Sequence, residues 1–278
     1  MSQEHTAVLY ESHMHTPLCR HAQGEPEDYA EVAEARGLKG IIVTCHNPVP
    51  DNRWWHCMDY EQLPEYIAMI ERANKAYQGR VDIRAGIECD YLPGMEEWLE
   101  EHLAGQKFHH VLGSIHPQVK SYRERFYTGD DVAYQRVYFE NLALAAESRL
   151  FDTLSHPDLV KNEAREQWDL DRIWPDIERA LDRVAATGTA MELNTSGLNK
   201  ALPEMNPGPR ILAAMHERCI PVVIGSDAHE PGRVGANWED GLDVLESVGY
   251  NEINFFLERK RQTVAIDVAR RSLKPLKS

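Results

Sequence analysis

Short apolar runs along this chain end, again and again, in residues that ligate metals. They are His13 and His15 in YESHMH, His46 in IIVTCH, Glu88 in IRAGIE, His116 in VLGSIH, His156 in DTLSH, and Asp227 with His229 in VVIGSDAH. His21, in TPLCRH, follows His15 by six residues in a loop. One strand ending this way is ordinary. Repeated along most of a 278-residue chain, the pattern describes the rim of a barrel whose strand ends face metal ions. Catalytic groups of α/β barrels come from that rim, the C-terminal ends of the strands and the loops beyond them.

The spacing between these runs supports that architecture. Strands are expected near 8–12, 40–45, 81–88, 110–115, 151–155, 189–194 and 221–226. Helical periodicity occupies 26–37, 59–78, 95–104, 131–149, 171–187, 207–218 and 239–248, with Gly188 and Gly249 as stops. Strands alternating with helices predict parallel βαβ units. The expected fold class is therefore α/β: a seven-unit barrel in one domain over residues 1–278, with a helical tail at ARRSLKPLKS. The chain is long enough for one barrel core.

His13 and His15 stand at i and i+2, so on a strand both side chains leave one face; Asp227 and His229 repeat that geometry. Buried carboxylates at Glu88 and Asp227 would each need a cation or another partner to offset desolvation. A donor set of imidazole and carboxylate suits Zn, Mn or Fe. Cys45 and Cys89, beside His46 and Glu88, alternate to the other face and are expected to pack. Five cysteines without paired CxxC spacing suit reduced thiols.

Formal net charge is −15, which disfavours nucleic acid gripped by the general surface. No apolar run approaches the length of a membrane span, and no leader pattern opens the sequence, so a cytoplasmic protein is expected. Oligomeric state is not readable from sequence.

The ordered motifs HMH, TCH, GIECDYLPG, SIH, SHPDLVK, ELNTSG and SDAH resemble the polymerase-and-histidinol-phosphatase (PHP) family, and within it the histidinol-phosphate phosphatases. The likeness runs from about His13 to His229. It implies a distorted (β/α)7, TIM-like barrel with three divalent ions. The first would be held by His13, His15, Glu88 and Asp227; the second by bridging Glu88 with His116 and His156; the third by His21, His46 and His229. The implied reaction is hydrolysis of a small phosphate monoester, foremost L-histidinol phosphate, by a metal-bridged hydroxide attacking in line. Asp227 would accept the water proton, and His229 or a metal-bound water would protonate the leaving oxygen.

Phosphate contacts are expected among Lys161, Asn199, Lys200, Arg233 and Arg123, with Arg125 and Arg210 as further cations. Where the family pattern carries a basic residue after ELNTSGL, this chain has Asn199-Lys200, so Lys200 would serve as a point charge. PQVKSYRERFY after SIH is more basic and aromatic than the pattern, and Trp54-Trp55 is read as packing over the barrel rim, with an aromatic lid as the alternative. His109 and His110 are expected as satisfied histidines at the barrel bottom or surface. Two alternatives are a phosphatase or phosphodiesterase acting on another small phosphorylated metabolite or nucleotide, and a non-catalytic metal-stabilised binding module.

Overall fold

The computed structural model describes residues 7–50, 54–163 and 165–275. Strands β1 (Tyr10–Glu11), β2 (Gly40–Val43) and β3 (Asp82–Ala85) form a parallel sheet. A second sheet runs in parallel through β4 (Ile87–Asp90), β5 (Val111–Ser114), β6 (Thr153–Leu154), β7 (Ala190–Asn194) and β8 (Val222–Gly225). It ends in an antiparallel hairpin, β9 (Glu252–Leu257) and β10 (Lys260–Ala265).

Between the strands lie α1 (Pro26–Arg36), α2 (Leu63–Ala76), α3 (Glu96–Ala104), α4 (Lys120–Phe126), α5 (Asp131–Glu147), α6 (Leu170–Thr187), α7 (Pro209–Glu217) and α8 (Trp238–Ser247), with α9 (Ile266–Ser272) at the end. Local chemistry explains their limits. Asp130 caps α5 by accepting from Val132 and Ala133 N–H, and Asp169 caps α6 through Asp171 N–H. Along α6, Ile173, Ile177, Ala180, Leu181 and Val184 form one buried stripe, and Gly188 at φ 77° stops the helix.

Two departures from the expected strands have local causes. The run 81–88 is two strands, because the chain changes neighbours at Gly86: β3 pairs with β2, and β4 with β5. A Cβ at Gly86 would meet the His110 carbonyl at 2.7 Å and the Thr44 side chain at 2.8 Å, so the crossing needs glycine. The β9–β10 hairpin lies beyond the last expected strand. Its turn, Glu258-Arg259, takes positive φ at both residues without the Asn-Gly signal that marks such turns.

The strands therefore do not make one continuous sheet. Isolated parallel bridges, His46 with Glu88 and Met14 with Ala228, join the two sheets where the strands end. At the opposite end, β9 pairs with β8 at Asn254–Val223. Phe255 stacks on Tyr10 at 4.9 Å, while Phe256 packs on Ala190 and Val223. His110, fully buried, stacks on Phe256 at 5.0 Å and shares a 2.9 Å hydrogen bond with Thr153. His109 is half-buried at the same end.

The join between β1 and β8 depends on Glu11, a fully buried carboxylate. It accepts from the Ser12 and His13 N–H groups at 3.0 Å, from Ser226 N–H and hydroxyl, and from Gly235 N–H at 3.1 Å. Burial pushes its pKa up to about 7 against the pull of those donors. Glu11→Ala leaves several buried donors without an acceptor and is expected to lower stability by about 3 kcal/mol or more. Urea unfolding measures this, and an unchanged midpoint would show that the clamp contributes nothing.

Candidate metal centre

The nine ligand-type residues converge at the end of the barrel where the strands finish. They line or underlie a cavity of about 820 Å³, with His21, His46, Glu88, His116, His156, Asp227 and His229 on its surface. His13 and His15 lie beneath, each about 1% exposed. Five clusters of possible donors form among the described residues: His13, His15 and Glu88; Glu88, His116 and His156; His21, His46 and His229; His46, His56, Asp90 and His116; and His15, Cys19 and His229. Asp227 joins the first group, its Oδ1 lying 3.5 Å from His13 Nε2 and 3.2 Å from His15 Nε2. Glu88 Oε1 lies 3.4 Å from His13 Nε2, 3.2 Å from His156 Nε2 and 3.7 Å from His116 Nε2.

These spacings fit divalent ions. Ligands at roughly 2.0–2.2 Å from a tetrahedral ion stand about 3.3–3.6 Å apart. His13 Nε2 is buried without a hydrogen-bond partner, and the one close contact of Glu88 Oε2 is the His46 ring nitrogen at 3.0 Å, which is costly unless a cation completes them. His21 Nε2 and His229 Nε2 approach to 2.9 Å in the third group.

Contacts on the opposite ring nitrogens are shorter and of another kind. His13 Nδ1 is 2.7 Å from Glu192 Oε1, and His116 Nδ1 is 2.5 Å from Asp90 Oδ1. Both are direct hydrogen bonds that leave Nε2 of each ring aimed at the cluster. Glu192 is fully buried; its other oxygen accepts from His156 N–H at 2.9 Å and Asn194 Nδ2 at 3.0 Å. Gly225 makes room for it, since a Cβ there would stand 2.1 Å from Glu192 Oε1. Asp90 also takes His56 Nε2 at 3.2 Å and lies 3.3 Å from His46 Nδ1.

Glu192, Asp90 and His56 were outside the expected site. Asp90 carried a signal, because it stands at i+2 from Glu88 and shares its face. Glu192 carried a weaker one, a lone acid within the strand AMELN. His56 had none, being brought in by the long loop after β2. Cys19 is a further addition: its thiol approaches His15 and His229, although hydrogen bonding to Cys45 and burial raise its pKa and keep it protonated. Cys89 is buried in the apolar core as expected, whereas Cys45, expected to pack away from the ligands, takes hydrogen bonds from Thr16 N–H and hydroxyl at 3.4 and 3.3 Å and contacts His15.

Electrostatics divide the cluster. Burial disfavours charge at Glu88, Asp227, His13, His46, His116 and His229. Nearby His46 and His13 nevertheless hold the Glu88 carboxyl well below its ordinary range, and His13, His15, Lys200 and His229 do so for Asp227. His13 and His46 are raised by surrounding carboxylates despite burial. His116 falls to about 4 and His229 to about 2, burial being the main cause in both. His156 and Asp227 also adopt left-handed backbone, at φ 28° and 49°, a strained geometry that functional sites sustain.

The proposed phosphate contacts disperse. Lys200 is at the centre, its Nζ 3.7 Å from Asp227 Oδ2. Asn199 and Arg233 line an adjoining groove of about 480 Å³, where Arg233 Nη2 is buried without a partner. Lys161 is elsewhere: it is fully buried on Asp158, Glu204 and the Met205 carbonyl, which use all three of its N–H donors. Arg123 turns to Glu163 and lies over the Tyr127 ring, Arg125 donates to the Pro93 carbonyl, and Arg210 stacks on Trp174 beside Asp171. A point charge read from sequence carries no direction, and here short-range acceptors claim three of these arginines and Lys161. Trp54 and Trp55 both line the cavity, Trp54 buried and Trp55 68% exposed.

The PHP domain model matches residues 11–196, two thirds of the chain. The chain belongs to the PHP family. A Deinococcus radiodurans protein named a probable histidinol-phosphatase is 40% identical over 260 residues, 89% of this chain and 96% of its own. The Bacillus subtilis histidinol-phosphatase is 25% identical, covering 84% of this chain and 98% of its own. In three dimensions the chain is similar to the Lactococcus lactis histidinol phosphate phosphatase, solved with zinc, L-histidinol and phosphate. The TM-score is 0.76 at 18% identity, over 91% of this chain and 98% of that one, a likeness of fold. No helix among the described residues is long and apolar enough to cross a membrane.

If Glu192 aims His13, Glu192→Gln is expected to lower bound divalent metal per chain, with an affinity loss of about 10–100-fold. Metal analysis after dialysis against graded chelator measures it. Wild-type retention would show that the His13–Glu192 contact is only packing.

Proposed function

We propose that this PHP protein is a metal-dependent phosphatase that hydrolyses L-histidinol phosphate to L-histidinol and phosphate. The observation that carries the reading is the convergence of three donor groups at the cavity floor, two of them sharing Glu88. The names of the relatives supply the substrate. In this reading three divalent ions, of Zn, Mn or Fe, are held as follows: His13, His15, Glu88 and Asp227 take one, Glu88, His116 and His156 a second, and His21, His46 and His229 a third. When bound, such ions neutralise charge on phosphoryl oxygens and lower the pKa of water to near neutrality.

The chain's own groups do the rest. Asp227 Oδ1 faces His13 and His15, while Oδ2 accepts from the Ser196 hydroxyl at 3.0 Å and stands beside Lys200. Held ionised, Asp227 is the acceptor for the proton of the attacking water. Lys200 places a mobile positive charge where a phosphoryl oxygen would lie. His229 would serve as a ligand, because burial and the neighbouring His15 favour its neutral ring. The proton for the leaving oxygen would then come from water in the cavity, whose acidity bound ions would raise.

Above the floor, Trp55, Val119 and Leu159 form walls, and Glu124 adds a carboxylate on α4. Histidinol carries an ammonium and an imidazole. The carboxylate suits the first and the tryptophan the second. The cavity lies within the range of about 300–1,000 Å³ typical for small ligands.

Two measurements test this reading. Phosphate release by the metal-loaded protein, across histidinol phosphate, sugar phosphates and a small diester, should favour histidinol phosphate by at least about a hundredfold in kcat/KM, or roughly 2.7 kcal/mol. A comparable preference for another compound would remove the substrate and leave the reaction class. Glu88→Ala should depress turnover by at least about a thousandfold, and activity within tenfold of wild type would refute the metal-centred mechanism. Glu124→Gln and Trp55→Ala should raise KM for histidinol phosphate several-fold while changing p-nitrophenyl phosphate hydrolysis little. Equal effects on both would assign these residues to cavity shape.

A further inference from the structure

A second concavity, of about 510 Å³, opens at the end of the barrel opposite the metal centre. Its walls include Arg149 after α5, Asp152 before β6, Thr189 before β7, and Arg259 and Arg261 of the β9–β10 hairpin. Phe151 and Phe256 also line it. These positions precede their strands or lie in the hairpin, so the pocket is separated from the catalytic cavity by the barrel interior.

Its charge is unusual for this molecule. The chain has 45 acidic and 30 basic residues, and most of its arginines rest on carboxylates, as Arg20 does on Asp59, Arg36 on Glu239, Arg72 on Glu27 and Arg183 on Glu140. The one carboxylate of the pocket, Asp152, is taken: Arg259 Nε lies 2.5 Å from it, and Val111 N–H donates to the same oxygen at 2.9 Å. The Arg149 and Arg261 guanidinium groups have no acceptor among the described residues. Two exposed guanidinium groups without an acceptor therefore border one open depression, on a protein rich in available acids.

Backbone geometry makes the arrangement harder to dismiss as chance. Arg149 sits at φ 58° just past the end of α5, where α1 and α6 use Gly37 and Gly188 at φ 74° and 77°. Arg259 sits at φ 60° in a turn that ordinarily takes Asn-Gly. Left-handed backbone is costly for a residue with a Cβ, and such costs gather where a ligand is held. Two of the three arginines are seated this way. Arg259 is braced further by its 2.7 Å donation to the Leu150 carbonyl, which stiffens the wall between the unpaired pair.

We propose that this pocket is a second, non-catalytic anion site that takes a small phosphate-bearing molecule. Planar guanidinium groups match phosphate oxygens in pairs, and the volume suits a small metabolite. The site does not depend on the catalytic reading, because none of its residues belongs to the metal centre.

Titration calorimetry of the holoenzyme with inorganic phosphate and, separately, with a non-hydrolysable alkyl phosphonate tests the proposal. Wild type should bind a second equivalent beyond the one at the metal centre. The double variant Arg149→Ala/Arg261→Ala should lose that equivalent, or weaken it at least tenfold, with unchanged phosphate release from substrate and an unchanged thermal midpoint. Arg149→Lys/Arg261→Lys should restore part of the binding. Tighter binding of the phosphonate would assign the site to an organic phosphate, and equal binding to the phosphate group alone. A wild-type stoichiometry of one, or identical titrations for wild type and the alanine variant, would overturn the proposal.

Discussion

Glu88 is a carboxylate about 1% exposed, surrounded by imidazoles from four other strand ends. Removing such a charge from water is expensive unless cations or protons surround it. The protein meets that demand by bringing His13, His15, His46, His116 and His156 within about 4 Å of its two oxygens. Because they come from four strand ends on both sheets, satisfying Glu88 also holds the two sheets together. The bridge between His46 and Glu88 joins the two sheets at the residue whose side chain joins two donor groups.

A layer of acids below the ligands makes that arrangement rigid. Glu192 holds His13 and the His156 backbone together, and Asp90 ties His116 to His56 and the neighbouring His46. Glu11 reaches under the rim to Ser226 and Gly235, beside the strand that carries Asp227. Donor positions are thus set by buried hydrogen bonds whose failure would leave charges stranded, which accounts for ligand atoms poised 3.2–3.7 Å apart.

The sequence made the floor of the site legible and left its walls obscure, for a physical reason. A strand points alternate residues to one face, so HMH and SDAH declare their direction without a structure. Seven alternating units likewise predicted parallel strands. Nothing comparable governs a long side chain on a loop. Lys161 lies only five residues from His156, yet folds back into the protein because Asp158 and Glu204 are nearer acceptors than any substrate. His56 moves the other way, drawn into the site by Asp90. The hairpin was invisible because Glu258-Arg259 makes its turn against residue preference, and Gly86 was readable as a strand residue until its two neighbours were seen to differ.

The balance of charge explains why the cluster persists as a cluster. Two ligand carboxylates face seven histidines, and the acids Glu192 and Asp90 stand behind them. Without ions, the cheapest compensation is protonation of some imidazoles, and His13 and His46 are indeed pushed up while Glu88 and Asp227 are pushed down. Protons and divalent ions are then alternatives at the same donors, so metal uptake displaces protons from a site already shaped to receive it. The low values at His116 and His229 complete the division, since those rings stay neutral and keep lone pairs free. In the proposed reading, the raised histidines would offset the acids and the neutral ones would keep a lone pair for a divalent ion.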